Sequence, residues 1–113
     1  MMDSQKSDPH GALGTQLTLL SSPVRRALLG ALAERSVGPT TSYPPLDLLG
    51  RPDASERFRL ELYHSHLPKL AANGFIHWDS DAGTIRKGPD WEDIVPLLEL
   101  LSTHREKLPD GGL

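Results

Sequence analysis

Two of the chain's five histidines, His64 and His66, stand in the stretch LYHSHLPKL, where Pro68 also interrupts an apolar pattern of helical spacing. Imidazoles at such a place can ligate a metal, make a buried hydrogen bond, or contact DNA. Spacing speaks against the first. Residues two apart on a helix point about 200° away from one another around its axis, so this pair cannot close on one ion as an i,i+4 pair does. A zinc enzyme would need a third ligand and a water-activating group, and the remaining histidines are His77, His104 and His10. No metal and no cofactor is implied.

The helical projection places His64 on one face with Arg57, Glu61 and Ser65, opposite the apolar stripe; this is the side a recognition helix would turn to DNA. His66 falls nearer the packing boundary, where a hydrogen bond in a core or interface is the plainer reading. Arg57 and Arg59, near the start of the helix, suit phosphate or base contact because the guanidinium fork matches both geometries. Their alternative is surface ion pairing with Glu56 or Glu61. Lys69 is a further cation on the same helix. Arg86 and Lys87, farther along, could reach flanking phosphates or simply be solvated. Trp78 and Trp91 could stack on bases, but their places beside a hairpin and at a helix start favour packing.

The bulk properties narrow the classes. The chain has 113 residues, 37% of them hydrophobic and 24% charged, as expected of one soluble domain with a single core. It contains no cysteine, which excludes disulfides, thiolate nucleophiles and thiolate metal sensors. A net charge of −3 and an isoelectric point near 5.9 argue against coating nucleic acid by charge alone. From Arg51 to Asp90, six Lys or Arg face six Asp or Glu, so recognition of DNA there would depend on a few placed contacts. Neither a nucleophile–base arrangement nor a phosphate loop is visible, and the reading is non-enzymatic. The start MMDSQKSDPHG lacks the basic and apolar segments of a secretory signal, and no run of about 20 apolar residues is present, so a cytoplasmic protein without membrane association is expected.

The positioning elements follow from caps and periodicity. Leu13, Leu17 and Leu20 suggest a short helix before the Ser-Ser-Pro break. Ser22 as cap and Pro23 as first residue start a helix to Arg35, with Val24, Ala27, Leu28, Ala31 and Leu32 inward and Arg25 and Arg26 nearer the edge or the outside. GPTTSYPPLDLLGRP is dense in breakers and leaves room for a turn or two of helix near Pro45–Leu49. Asp53 and Glu56 have capping-box spacing and predict a long helix to Asn73, with Leu60, Tyr63, Leu67, Leu70 and Ala71 inward, a bend at Pro68 and a left-handed exit at Gly74. FIHWD and TIRKG flank a turn near Asp79–Gly83 and predict a β-hairpin. Asp93 would cap a last helix from Ile94 to about Leu108, whose Leu97, Leu98, Leu100, Leu101 and Leu108 exceed what one domain covers and predict a two-fold interface.

This order, helices followed by a hairpin directly behind a long helix and then a last helix, defines an α+β, mainly α fold: a winged helix-turn-helix with a two-stranded β-hairpin wing and a C-terminal dimerisation helix. The expected domain spans residues 12–109, with 1–11 and 110–113 as flexible ends. LLSSPVRRALLGAL resembles the opening of the ArsR-like winged-helix regulators, and LYHSHLPKLAANGFI their recognition helix, closing glycine and first wing strand. The combination of the Arg pair, LYHSHLPKL and NGFI is closest to a family of small uncharacterised haloarchaeal winged-helix proteins. The resemblance implies a DNA-binding transcriptional regulator that acts as a homodimer on double-stranded DNA. The alternative is a winged helix that has lost DNA binding and engages a partner protein. Metal sensing does not carry over, since its usual thiolates are missing.

Overall fold

The structure is a computed structural model that describes residues 9–35 and 41–103. It begins with α1 (Pro9–Leu19) and α2 (Pro23–Arg35), joined by a tight corner. The corner follows from its sequence. Ser22 starts α2, its hydroxyl accepting the Arg25 N–H at 3.3 Å, and Pro23 takes the first helical position where no donor is needed. The last carbonyls of α1 lack intrahelical partners and are met by side chains. Ser21 Oγ donates to the Thr18 carbonyl at 2.6 Å, Arg25 to those of Leu19 (2.6 Å) and Thr18 (3.2 Å), and Arg26 to that of Leu20 (2.6 Å).

This corrects the placement of Arg25, expected with Arg26 nearer the edge or the outside; Arg26 is half-buried, an edge position. Arg25 is buried, with 7% of its surface exposed, and the packed side of α2 is Arg25, Leu28, Leu29 and Leu32. Ala27, expected inward, is exposed, because the carbonyls of α1 draw Arg25 beneath the corner and turn that side chain's face of the helix towards the core.

After the second helix, Tyr43 forms a two-way backbone bridge with Ile85, N···O 2.8 Å in both directions. The short α3 (Pro45–Leu49) ends at Gly50, whose φ of 67° is left-handed and lets the Arg51 N–H return to the Leu46 carbonyl. A loop leads to the long helix, made of α4 (Glu56–Glu61), a π-helical turn (Leu62–His66) and α5 (Leu67–Ala72). The observed cap is Ser55, whose side chain accepts the Phe58 N–H, and not Asp53; three residues after Ser55 stands Phe58, so no reciprocal acid completes a capping box.

The π-turn is the helix's answer to Pro68. Proline has no N–H to give the His64 carbonyl, and just before it the Leu67 N–H reaches past Tyr63 to the carbonyl of Leu62. That wider turn shifts the helix's phase. Leu62, Leu67 and Leu70 face the core, whereas Leu60, expected inward by simple helical counting, is 52% exposed. At the far end, Gly74 (φ 80°) closes a Schellman motif: the Phe75 N–H bonds the Leu70 carbonyl and the Gly74 N–H that of Ala71.

The wing follows at once. β1 (Ile76–Asp79) pairs antiparallel with β2 (Thr84–Lys87), with His77 opposite Arg86 and Trp78 opposite Ile85. The Asp79 carboxylate accepts the N–H groups of Asp81 and Ala82, and Gly83 turns the chain with φ 73°. The chain then passes Gly88, where any Cβ would lie 2.5 Å from the Gly74 carbonyl oxygen and 2.7 Å from the Ile76 nitrogen. α6 (Trp91–Thr103) starts earlier than the predicted Asp93 cap, because Trp91 is itself a core residue, 4% exposed, and fastens the first turn. Pro96 consequently sits inside the helix. The stretch to Leu108, including that leucine, lies outside the described residues. The core gathers Leu28, Leu29 and Leu32 with Leu62, Leu67, Leu70, Ile76, Ile85 and Ile94 between α2, the long helix, the hairpin and α6.

Candidate nucleic-acid interface

The long helix turns one face inward and leaves another free. On the outer face Arg57, Leu60, Glu61 and His64 are exposed, with Ser65 and Lys69 farther along, Ser65 half-buried. Arg57 Nε stands 4.0 Å from Glu61 Oε2, the limit of an ion pair, and both side chains are highly exposed. In water such an i,i+4 pair contributes about 0.3–0.5 kcal/mol, which a ligand phosphate or base edge can readily outcompete. The Arg57 fork is therefore available.

Arg59 is placed differently from Arg57. Its Nη2 donates to the Pro52 carbonyl at 3.3 Å, tying the loop before the helix to the first turn. Arg51, which the sequence reading did not single out, lies over the Phe58 ring with 4.0 Å between guanidinium carbon and ring centroid. Two arginines thus fix the approach to the helix while Arg57 projects from it.

Arg86, half-buried on β2, is paired across the ladder with the exposed His77. With Ser42, Ser80 and Thr84 they line a shallow polar depression of about 340 Å³ on the hairpin, in which Asp79 is the acidic member. Lys87 reaches the other way, its Nζ 5.1 Å from the centre of the Trp91 ring, so its charge is shared with the start of α6. Both tryptophans serve packing: Trp91 is buried and Trp78 stacks on Tyr63.

The two histidines of LYHSHLPKL part company. His64 is exposed; His66 is half-buried, and its Nδ1 lies 3.0 Å from Arg25 Nη1. Burial first, then the Arg25 charge, hold the His66 pKa below the ordinary value; Lys69 acts in the same direction and Glu61 against it. Burial also lowers the Arg25 pKa, but guanidinium remains the charged partner. No group of three or more metal-ligating side chains forms among the described residues.

A second surface is mainly apolar. α2 and α6 leave an open groove of about 490 Å³ lined by Ala27, Gly30, Ala31, Val95, Leu98 and Leu101, with Arg26, Glu34 and Glu99 along it. Leu97, Leu98 and Leu101 are partly buried against the protein's own core, and Leu100 is 53% exposed. Gln16 of α1 donates to the Asp93 carbonyl of α6 at 3.1 Å, and Leu13 and Leu17 of α1 are exposed as well. The terminal helices therefore carry the exposed leucines outside the long helix among the described residues.

Taken together, the first two helices, the short third helix, the long helix with its hairpin and the closing helix form an α+β protein with a winged-helix-like layout. The chain belongs to the family described as a domain of unknown function, DUF7344, whose model matches residues 17–86, more than half of its length. The matched segment runs from the end of α1 to β2 and so contains the Arg25 corner, the long helix and the hairpin. No curated protein and no solved structure matches the chain. No described helix is long and apolar enough to cross a membrane.

Proposed function

We propose that the protein is a sequence-specific, DNA-binding transcriptional regulator that acts as a homodimer in the cytoplasm, and that it is not an enzyme. One observation carries this reading: the exposed face of the long helix presents Arg57, Leu60, Glu61 and His64 together, behind a hairpin that bears Arg86. In a major groove this set offers a guanidinium for guanine, a carboxylate for a cytosine amine and an apolar contact for a thymine methyl. Arg86 is the candidate phosphate contact on the wing, with Lys69 and Ser65 near the helix's far end and Arg59 near its start. Because acids and bases balance over this region, one copy would bind weakly, and two copies on successive grooves would supply the deficit. Leu13, Leu17 and Leu100 on the terminal helices provide apolar surface for that pairing.

The apolar groove between α2 and α6 supports a second reading, in which the winged helix engages a partner protein and has given up DNA. Fluorescence anisotropy on genomic duplexes that include the gene's own upstream region separates the two. Saturable binding that survives competitor DNA supports the regulator; none at tens of micromolar protein favours the interaction module.

A further inference from the structure

The partly buried contact between Arg25 and His66 joins two parts of the fold that are far apart in sequence. Arg25 holds the carbonyls of Thr18 and Leu19 at the negative end of α1, and its Nη1 then points at His66 Nδ1, 3.0 Å away. His66 is the last residue of the π-turn. A guanidinium can only donate, so Nδ1 must accept, and the ring must be neutral with its proton on Nε2. We propose that Arg25 is a positioning residue for the long helix, acting through neutral His66, and that protonating His66 releases the π-turn from the α1–α2 corner.

Charge and geometry act together. A proton on Nδ1 abolishes the acceptor and sets two cations 3.0 Å apart in a partly buried place. The charged groups facing the ring are Arg25 from α2 and Glu61 and Lys69 from the long helix itself, while α1 contributes its terminal carbonyls through Arg25. Glu61, exposed on the outer face, is the only one of these that favours the protonated ring. Arg25 cannot move away without abandoning the Leu19 carbonyl at 2.6 Å, so the imidazole and its turn must yield. The consequence for DNA rests on the proposed function; the latch itself does not.

Ring-nitrogen and amide NMR on the full chain between pH 8 and pH 4.5 tests the latch without any DNA. The expected result is an Nε2–H ring at neutral pH, titrating below the usual histidine midpoint of about 6.5, with amides of Thr18–Ser21 and Leu62–Leu67 shifting at that same midpoint. His66→Gln, whose side-chain oxygen can still accept from Arg25, is expected to keep the fold and lose the shared transition. Wild-type His66 in the Nδ1–H tautomer, a midpoint at or above 6.5, or a corner that ignores the ring's titration would overturn the proposal. Those wild-type readings decide it even if the variant fails to fold. Loss of DNA binding on acidification in wild type but not in His66→Gln would extend the latch to function; a working latch with no DNA binding at any pH would count against the regulator alone.

Discussion

The Trp78 ring of the hairpin stacks on Tyr63 of the π-turn, with centroids 5.5 Å apart and planes 13° from parallel. The wing is thereby seated on the part of the long helix whose phase the π-turn sets, so helix face and hairpin are presented as one unit. Trp78→Ala is expected to lower stability by about 1–3 kcal/mol, less than for a fully buried aromatic because the ring is half-exposed. Urea unfolding of variant and wild type measures it.

Among the described glycines, Gly88 is the one where an added Cβ would meet backbone, with the Gly74 carbonyl and the Ile76 amide both within 2.7 Å of it. These atoms are backbone and give way only by moving the hairpin from the helix exit. Gly88→Ala should cost about 1–3 kcal/mol and lower the Tm by several degrees. Gly83→Ala meets open space and costs only the strain of its left-handed φ, so it should do less damage in the same thermal scan.

Stability should also depend on pH through His66. Its pKa is lower folded than unfolded, so between the two values the unfolded chain binds more protons and acid favours unfolding. The full contribution is present above about pH 6.5 and is lost as the pH falls from there through the folded value. Urea midpoints at pH 7.5 and pH 5.5 should differ more for wild type than for His66→Gln, once the carboxylate background common to both is subtracted.

Much of the architecture is legible in the sequence, and the misses have identifiable physical causes. Several element ends marked by local chemistry are recovered, namely Ser22-Pro23 for α2, Pro45 for α3, Gly74 for the long helix, Asp79 and Gly83 for the hairpin, whereas the expected caps Asp53 and Asp93 give way to Ser55 and to a start at Trp91. Positions inferred from a constant helical period are recovered in part: Leu28, Leu32, Leu67 and Leu70 are buried, while Leu60 and Ala27 are exposed. One π-turn moves Leu60 out of the stripe, and the pull of the α1 carbonyls takes Arg25 in. The first follows from Pro68 within the helix, and the second does not exist until two elements meet. The Tyr43 bridge escapes notice because a single residue between breakers has no period to read. At the candidate interface, Arg57 and His64 project as expected, while Arg59 and Lys87 are partly engaged by Pro52 and Trp91. SSPVRR carried the missing signal, since a Ser-Ser-Pro corner followed by two arginines supplies donors beside the carbonyl end of a helix.

The terminal helices give the assembly prediction. Leu100 is exposed, so Leu100→Glu should leave the fold intact, whereas Leu97→Glu and Leu101→Glu would bury part of a charge in the protein's own core. Light scattering across dilution should show a wild-type dimer and a Leu100→Glu monomer with a similar Tm. A monomeric wild type at tens of micromolar removes the homodimer; a dimer indifferent to the change moves its interface elsewhere.

Selection from a random duplex pool, run in parallel on wild type and on Arg57→Ala with His64→Ala, tests the proposal that the outer face of the long helix reads DNA. Both side chains are exposed, so the double variant should retain its Tm to within a few degrees. Wild type is predicted to enrich a two-fold symmetric motif whose half-sites lie about 10 base pairs apart, and the variant to lose preference at the contacted base pairs, each worth about 1–3 kcal/mol. Enrichment of no motif by the wild type, or of the same motif by both proteins, would remove DNA reading from this face.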